Sequence, residues 1–285
     1  MFIYFKICAG AYDRLVADYF ADEPLYSTKV FRRRFRMSRR LFLRIADDMA
    51  NFEPFFTLRY DARGKRGFTT LQKCTAALRQ LAYGTTADAW DEYLKMSERT
   101  ARECLYKFSK CVVKLYSKKY LRKPNSSEVQ QLYQFHHQQH CFPGMLGSID
   151  CYHWPWKNCP VAWRGMFKRG DQDYPSIILE AACSQDLWVW HAFFGIPGSN
   201  NDINVINQSH IFDDVIKGTG AETSFTVSGV EYRRGYYLVD GIYPSWTTIV
   251  KSIHHPFDEK RKKFAKYQES TRKDIKRVLG VLQSG

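Results

Sequence analysis

Long apolar runs are missing from this sequence. None approaches the ~20 residues that a helix needs to cross a bilayer. The apolar opening Met1–Cys8 is short, is interrupted by Lys6, and lacks the basic flank of a signal peptide. Cys-x-x-Cys pairs are also missing: the eight cysteines (8, 74, 104, 111, 141, 151, 159, 183) are scattered, which excludes a zinc ribbon and a thioredoxin-type redox motif. A chain of 285 residues can bury roughly 75% of its unfolded surface and needs no disulfide staples, so reduced intracellular thiols are the expectation. Internal repeats and low-complexity tracts are absent. Acidic residues are scarce beside basic ones, 29 against 43, a net charge of +14. That excess points to a polyanionic partner, nucleic acid first. The expected protein is soluble, intracellular and basic.

What is present begins with helices. Ser38 can cap a helix in which Leu41, Ile45 and Met49 share a face. Around that cap, six arginines fall within nine residues, Arg32 to Arg40. They are read either as a solvated helix entry or as a patch that contacts phosphate or directs import. A second helix is predicted from Leu71 to Tyr83, with Thr70 as cap and Gly84 as stop. The stretch from Ala87 to Leu105 then reads as a short helix, a turn, a Ser97 cap and a longer helix with Leu105, Phe108, Val112 and Leu115 as its apolar stripe. That is the pattern of a helix-turn-helix, with Arg99, Arg102, Lys107 and Lys110 facing DNA. A plain helical bundle gives the same periodicity. Another helix is predicted from Pro124–Ser127 to about His140.

Beyond Phe142-Pro143-Gly144 the texture changes to strands: Leu146–Tyr152, Ser176–Cys183, Leu187–Phe194 and Gly235–Asp240, with helices from Asp202, from Ser245 and, strongly basic, from about Asp258. Three aspartates mark the ends of these elements. Asp150 closes the first strand, Asp240 closes the fourth, and Asp202 opens the helix between. Clustered carboxylates repel unless a hard cation lies between them, and an all-oxygen donor set suits Mg²⁺ or Mn²⁺. Paired ions of this kind activate water in phosphodiester cleavage. Each aspartate also has an ordinary reading, Asp202 as an N-cap and Asp240 as a turn residue. His136, His137, His140, Cys141, Cys151, His153 and Cys159 are dense, but their spacings match no standard zinc finger, and packing is the expected role. From Lys260 to Arg277, nine of eighteen residues are basic, including Lys262 and Lys263, a surface suited to the DNA backbone.

The segments FRRRFRMSRRLFLRI, QLAYGTTADAWDEYLKMSERTARECLYKF, GSIDCYHWPWKNCPVAWRG, PGSNNDINVI, YYLVDGIYPSW and RKDIKRVLGVLQ together resemble the PIF/Harbinger transposases of the DDE type and the nucleases derived from them, in their plant branch. The resemblance implies an RNase H-like fold, a divalent-metal site acting on DNA phosphodiesters, a nuclear location, and a Myb-like DNA-binding partner protein. It assigns Asp150 and Asp240 as catalytic acids and Asp202 as a further metal ligand. It also exposes a departure. The family's third acid, a glutamate, aligns with Lys276, with 35 residues between it and Asp240. An ammonium cannot ligate a cation. Asp274 falls on another side of that helix, and Glu269 lies about 10 Å along its axis. The family pattern further implies that the domain is clipped at Gly285.

The expected architecture is therefore α/β, an RNase H-like catalytic domain preceded by a helical region with a helix-turn-helix-like segment. Its parts are a basic helical region (1–66), the helix-turn-helix-like region (67–142) and the nuclease domain (143–285). Two functions follow. One is metal-dependent DNA hydrolysis, impaired by Lys276. The other is a catalytically inactive domesticated transposase that binds nuclear DNA or protein.

Overall fold

The computed structural model describes residues 2–64, 66–219 and 223–284. Its contacts divide the chain into two compact units, 1–118 and 119–284.

The first unit is helical: α1 (Phe2–Tyr19), α2 (Thr28–Phe35), α3 (Arg39–Phe52), α4 (Thr70–Tyr83), α5 (Asp91–Leu94) and α6 (Glu98–Tyr120), the last running on into the second unit. Ser38 caps α3 as the sequence suggests, its Oγ accepting from the Leu41 N–H at 3.2 Å. The α4 cap is Thr69 rather than Thr70, because a reciprocal capping box with Gln72 satisfies two orphan N–H groups there. Gly84 ends α4 with φ +60°, a left-handed turn that any other residue would strain. The core is aromatic: Tyr19, Phe31, Phe35, Phe42 and Phe56 are buried with Leu15, Met49, Leu94 and Met96. On α6 the buried face is Ala101, Cys104, Phe108 and Cys111. It is set by small residues that let helices approach, so three of the expected stripe residues, Leu105, Val112 and Leu115, lie at its edge, half-buried.

The second unit is mixed α/β. After α7 (Ser126–His140) comes β1 (Met145–Pro155), followed by α8 (Arg164–Phe167), β2 (Ser176–Cys183), β3 (Val189–Pro197), α9 (Asp202–Gln208) and α10 (Asp213–Lys217). Next are β4 (Phe225–Val227), β5 (Val230–Tyr232), β6 (Tyr236–Val239), β7 (Ile249–Lys251) and α11 (Glu259–Ser284). Five strands form one sheet in the order β3-β2-β1-β6-β7. β1, β2 and β3 are an antiparallel meander, and β6 and β7 continue in parallel with β1. β4 and β5 form a separate hairpin. Where the sequence suggests a helix from Ser245, Ile249–Lys251 instead pairs with β6. The β-branched run Thr247-Thr248-Ile249-Val250 favours extended chain, and an open parallel edge is there to receive it.

Strand alternation distributes the core to both faces. Ile149, Ala182, Val239 and Tyr243 pack with Ile206, Ile211 and Phe212. Ala181 and Cys183 pack with Ile275, Val278 and Leu279 of α11. From Cys74 to Cys183 the cysteines are free thiols; the Cys8 side chain and Gly285 lie outside the described residues. Among the described residues no helix is long and apolar enough to cross a membrane.

Candidate metal centre

The parallel register of β1 and β6 places Ser148 opposite Leu238, so two residues further on Asp150 lies level with Asp240. β1 does not end at Asp150, as the sequence suggests, but continues to Pro155 through its pairing with β2. It is β6 that stops, at Val239, and Asp240 is the first residue beyond. Asp202, the first residue of α9, completes the group. Its own helix is capped by Asn201, which accepts from the Asn204 N–H at 2.9 Å. The capping role is filled by a neighbour, which frees the Asp202 carboxylate. One ligand oxygen from each of Asp150, Asp202 and Asp240 lies within 4.8 Å of the others, all half-buried.

Each carboxylate is oriented by its surroundings. Asp150 Oδ1 accepts from the Cys151 N–H at 3.0 Å, and Asp240 Oδ1 from the Ile242 N–H at 3.0 Å. Cys151, on the opposite side of β1, sits 3.3 Å from the Tyr243 hydroxyl and bonds Asp202. Burial pushes the Asp150 carboxyl above its usual range, against the pull of Arg272. Burial, and then the charges of Asp240 and Asp150, push Asp202 up to about 6. Three carboxylates this close demand a compensating positive charge.

The chain supplies part of that charge. Arg272 of α11 is nearly buried and donates from Nη1 to Asp150 Oδ2 at 3.2 Å. One turn earlier Gln268, fully buried, donates to the carbonyls of Val239 at 2.7 Å and Val250 at 3.3 Å. One turn later comes Lys276, exposed, whose charge still reaches Asp150. Gln268, Arg272 and Lys276 follow the i, i+4, i+8 stripe of α11 along the strand ends. The sequence singles out Lys276, but the residue that engages the carboxylates is Arg272. Its signal is the four-residue interval before Lys276, hidden among the nine basic residues of this stretch. Asp274 lies elsewhere, buried and paired with Arg277, and Glu269 accepts from the Ser252 hydroxyl.

The other predicted residues are spread out. Arg99, Arg102 and Lys110 are exposed on α6; Arg102 pairs with Glu98, and Lys107 lies 3.7 Å from Glu103. Lys262 pairs with Glu259 at 2.8 Å, and Lys263 lies over the Tyr267 ring. The histidine and cysteine set does not converge: His136 faces His140 at 3.1 Å, and His153 faces the Ser176 hydroxyl.

Residues 118–285 match the family model described as plant transposon protein. The chain belongs to that family. Residues 12–50 match a domain of unknown function (DUF8418). No curated protein and no solved structure matches the chain. The family match covers every residue of the acidic group and the whole of α11, so the Arg272–Asp150 pair is a feature of the transposon-derived part of the chain.

An all-carboxylate donor set of this size fits a hard divalent cation such as Mg²⁺ or Mn²⁺. Asp150 retains lone pairs beyond the two it uses, and Asp202 and Asp240 carry no ion pair among the described residues.

Proposed function

We propose that this is a transposase-derived, nuclease-like protein of the PIF/Harbinger branch, with an RNase H-like domain that hydrolyses DNA phosphodiesters in the nucleus with Mg²⁺ or Mn²⁺. The carrying observation is the convergence of Asp150, Asp202 and Asp240 from three separate elements to within 4.8 Å. The strand order, an antiparallel meander continued by two parallel strands, supports the RNase H-like reading. The net charge of +14 supports a DNA substrate. The short α5, the left-handed Lys95 and α6 support a helix-turn-helix-like role for that region, with a Myb-like protein as partner.

A metal held by Asp150, Asp202 and Asp240 would supply Lewis-acid stabilisation and an activated water. The chain's own contribution is orientation: two backbone N–H groups fix Asp150 and Asp240, and Cys151 fixes Asp202. Arg272 acts against loading, because it neutralises Asp150 directly. That ion pair favours a second reading, a site in which the arginine takes the place of a cation and the protein binds DNA without cutting it. Incubation of supercoiled DNA with the protein and Mn²⁺, beside Asp150→Ala, decides between them. Cleavage that disappears in Asp150→Ala supports the nuclease. Absence of cleavage in the native chain, with cleavage gained in Lys276→Glu combined with Arg272→Gln, supports the silenced site.

A further inference from the structure

The arginine run of the first unit is not used by the metal centre, yet it builds a site. The end of α1, the loop after it and the first turns of α2 and α3 enclose an open cavity of about 670 Å³. Arg32, Arg39 and Arg40 line it, with the N-cap serines Ser27 and Ser38. Among the described residues none of these arginines, nor Arg34 or Arg79 behind them, has a carboxylate ion-pair partner. Arg39 donates to the Ala21 carbonyl, at 3.0 Å. Behind the cavity the buried Tyr19 hydroxyl accepts from both Arg34 and Arg79, a neutral partner that leaves both guanidinium charges unbalanced. Arg79 is buried without any acid, held among the rings of Tyr19, Phe35, Tyr83 and Trp90.

Uncompensated guanidinium groups around one concavity call for an anion. The N-terminal ends of α2 and α3 border the same space, and helix N-termini carry a positive potential. One carboxylate, Asp22, stands among the lining residues and opposes the others. We infer that this cavity is a phosphate-binding site for the backbone of a nucleic acid. A polymer fits better than a free ion because the positive surface does not end at the cavity: Arg33 and Arg36, both exposed, continue it along α2. The planar forks of Arg32 and Arg40 would each clamp a phosphodiester oxygen pair. This site is independent of the metal reading, since it needs neither Asp150 nor a divalent ion.

The test is fluorescence anisotropy of a labelled 25-base-pair duplex with the full chain in EDTA, between 50 and 200 mM NaCl. Arg32 and Arg40 are exposed and hold no other residue among the described ones, so Arg32→Gln/Arg40→Gln keeps the fold, which an unchanged melting curve verifies. The variant should flatten the log–log salt dependence by about 1.8, roughly 0.9 for each phosphate that is no longer neutralised, and weaken binding at least fivefold at 100 mM NaCl. Asp22→Asn should tighten binding in the same assay. An unchanged slope and affinity in the double variant overturns the inference. So does a slope change no larger than that of Lys217→Gln, an exposed lysine already paired with Asp213 in the other unit. Preferential binding to phosphatidylserine vesicles, abolished in the same variant, would overturn it as well. Because EDTA is present throughout, failure here leaves the nuclease reading untouched, and failure of cleavage leaves this one untouched.

Discussion

At the scale of single residues, the balance at Asp150 decides the character of the acidic group. Its two oxygens already accept from the Cys151 N–H and from Arg272. A divalent ion must share Asp150 with a nearly buried guanidinium that has a buried Nε without a hydrogen-bond partner, a poor competitor in hydrogen bonding but a full charge at 3.2 Å. At an effective dielectric near 20, opposite unit charges about 4 Å apart interact by about 4 kcal/mol; cation–cation repulsion across this group is of the same order before screening by the other carboxylates. Arg272→Gln keeps a hydrogen-bond donor and removes the charge. Calorimetry should show Mn²⁺ binding to it at least tenfold more tightly than to the native chain, about 1.4 kcal/mol. Equal affinities would mean that Arg272 swings aside at no cost and is not a gate. Lys276 should matter less, since it is exposed and acts on Asp150 only through space.

At the scale of elements, the acidic group depends on β1 running flush against both its neighbours. Gly147 makes this close approach possible. A Cβ at that position would lie 2.1 Å from the Cys183 carbonyl oxygen on β2, backbone that cannot rotate away, and the β1–β6 register already shifts between Met145 and Gly147. Gly147→Ala should therefore cost about 1–3 kcal/mol in urea unfolding and weaken Mn²⁺ binding, although it lies three residues from Asp150. Loss of stability with unchanged metal affinity would separate the strand's packing from the geometry of the site. Much of this layer is legible in the sequence. Ser176–Cys183 is a strand end to end because its Ile-Ile-Leu run is bounded by turn residues. All three aspartates stand out, because each follows an apolar run or a Pro-Gly-Ser loop. What is not legible depends on partners. The β1 extension to Pro155 and the short β7 exist only by pairing, and β7 has three residues, too few for any period to register. Arg272 can be picked out only once α11 is laid across the strand ends. On α3 Met49 is buried as expected, but Phe42 and Ala46 are buried where the sequence suggests Leu41 and Ile45, and these two lie half-buried at the edge, because tertiary packing, not periodicity, chooses the stripe's centre.

At the scale of the whole molecule, a net charge of +14 grows as pH falls and carboxylates protonate, so acid should loosen the fold by self-repulsion. One buried group adds to this with a definite sign. His136 on α7 is fully buried, its Nε2 without a hydrogen-bond partner. Burial, then the nearby His140, depress it to about 4. The folded state thus binds this proton less readily than the unfolded chain, whose histidine titrates near 6.5. Its contribution to stability is complete above about pH 6.5 and drains away as pH falls toward 4. Between pH 7.5 and 4.5 that amounts to about 2–3 kcal/mol. Asp202 works the other way. Raised to about 6, it favours the folded state most below its unfolded value and gives up that advantage as pH rises through 6. The native profile is the sum of the two, so a difference between variants isolates the histidine. His136→Leu removes the titrating ring and leaves Asp202 in place. Six of the seven tryptophans lie in the second unit, so urea unfolding followed by tryptophan fluorescence reports on the unit that contains α7. The variant should lose about 2–3 kcal/mol less than the native chain between pH 7.5 and 4.5. Parallel pH profiles would show that His136 takes up its proton within the folded structure, with His140 or the nearby Asp274 carboxylate rearranging to accommodate it.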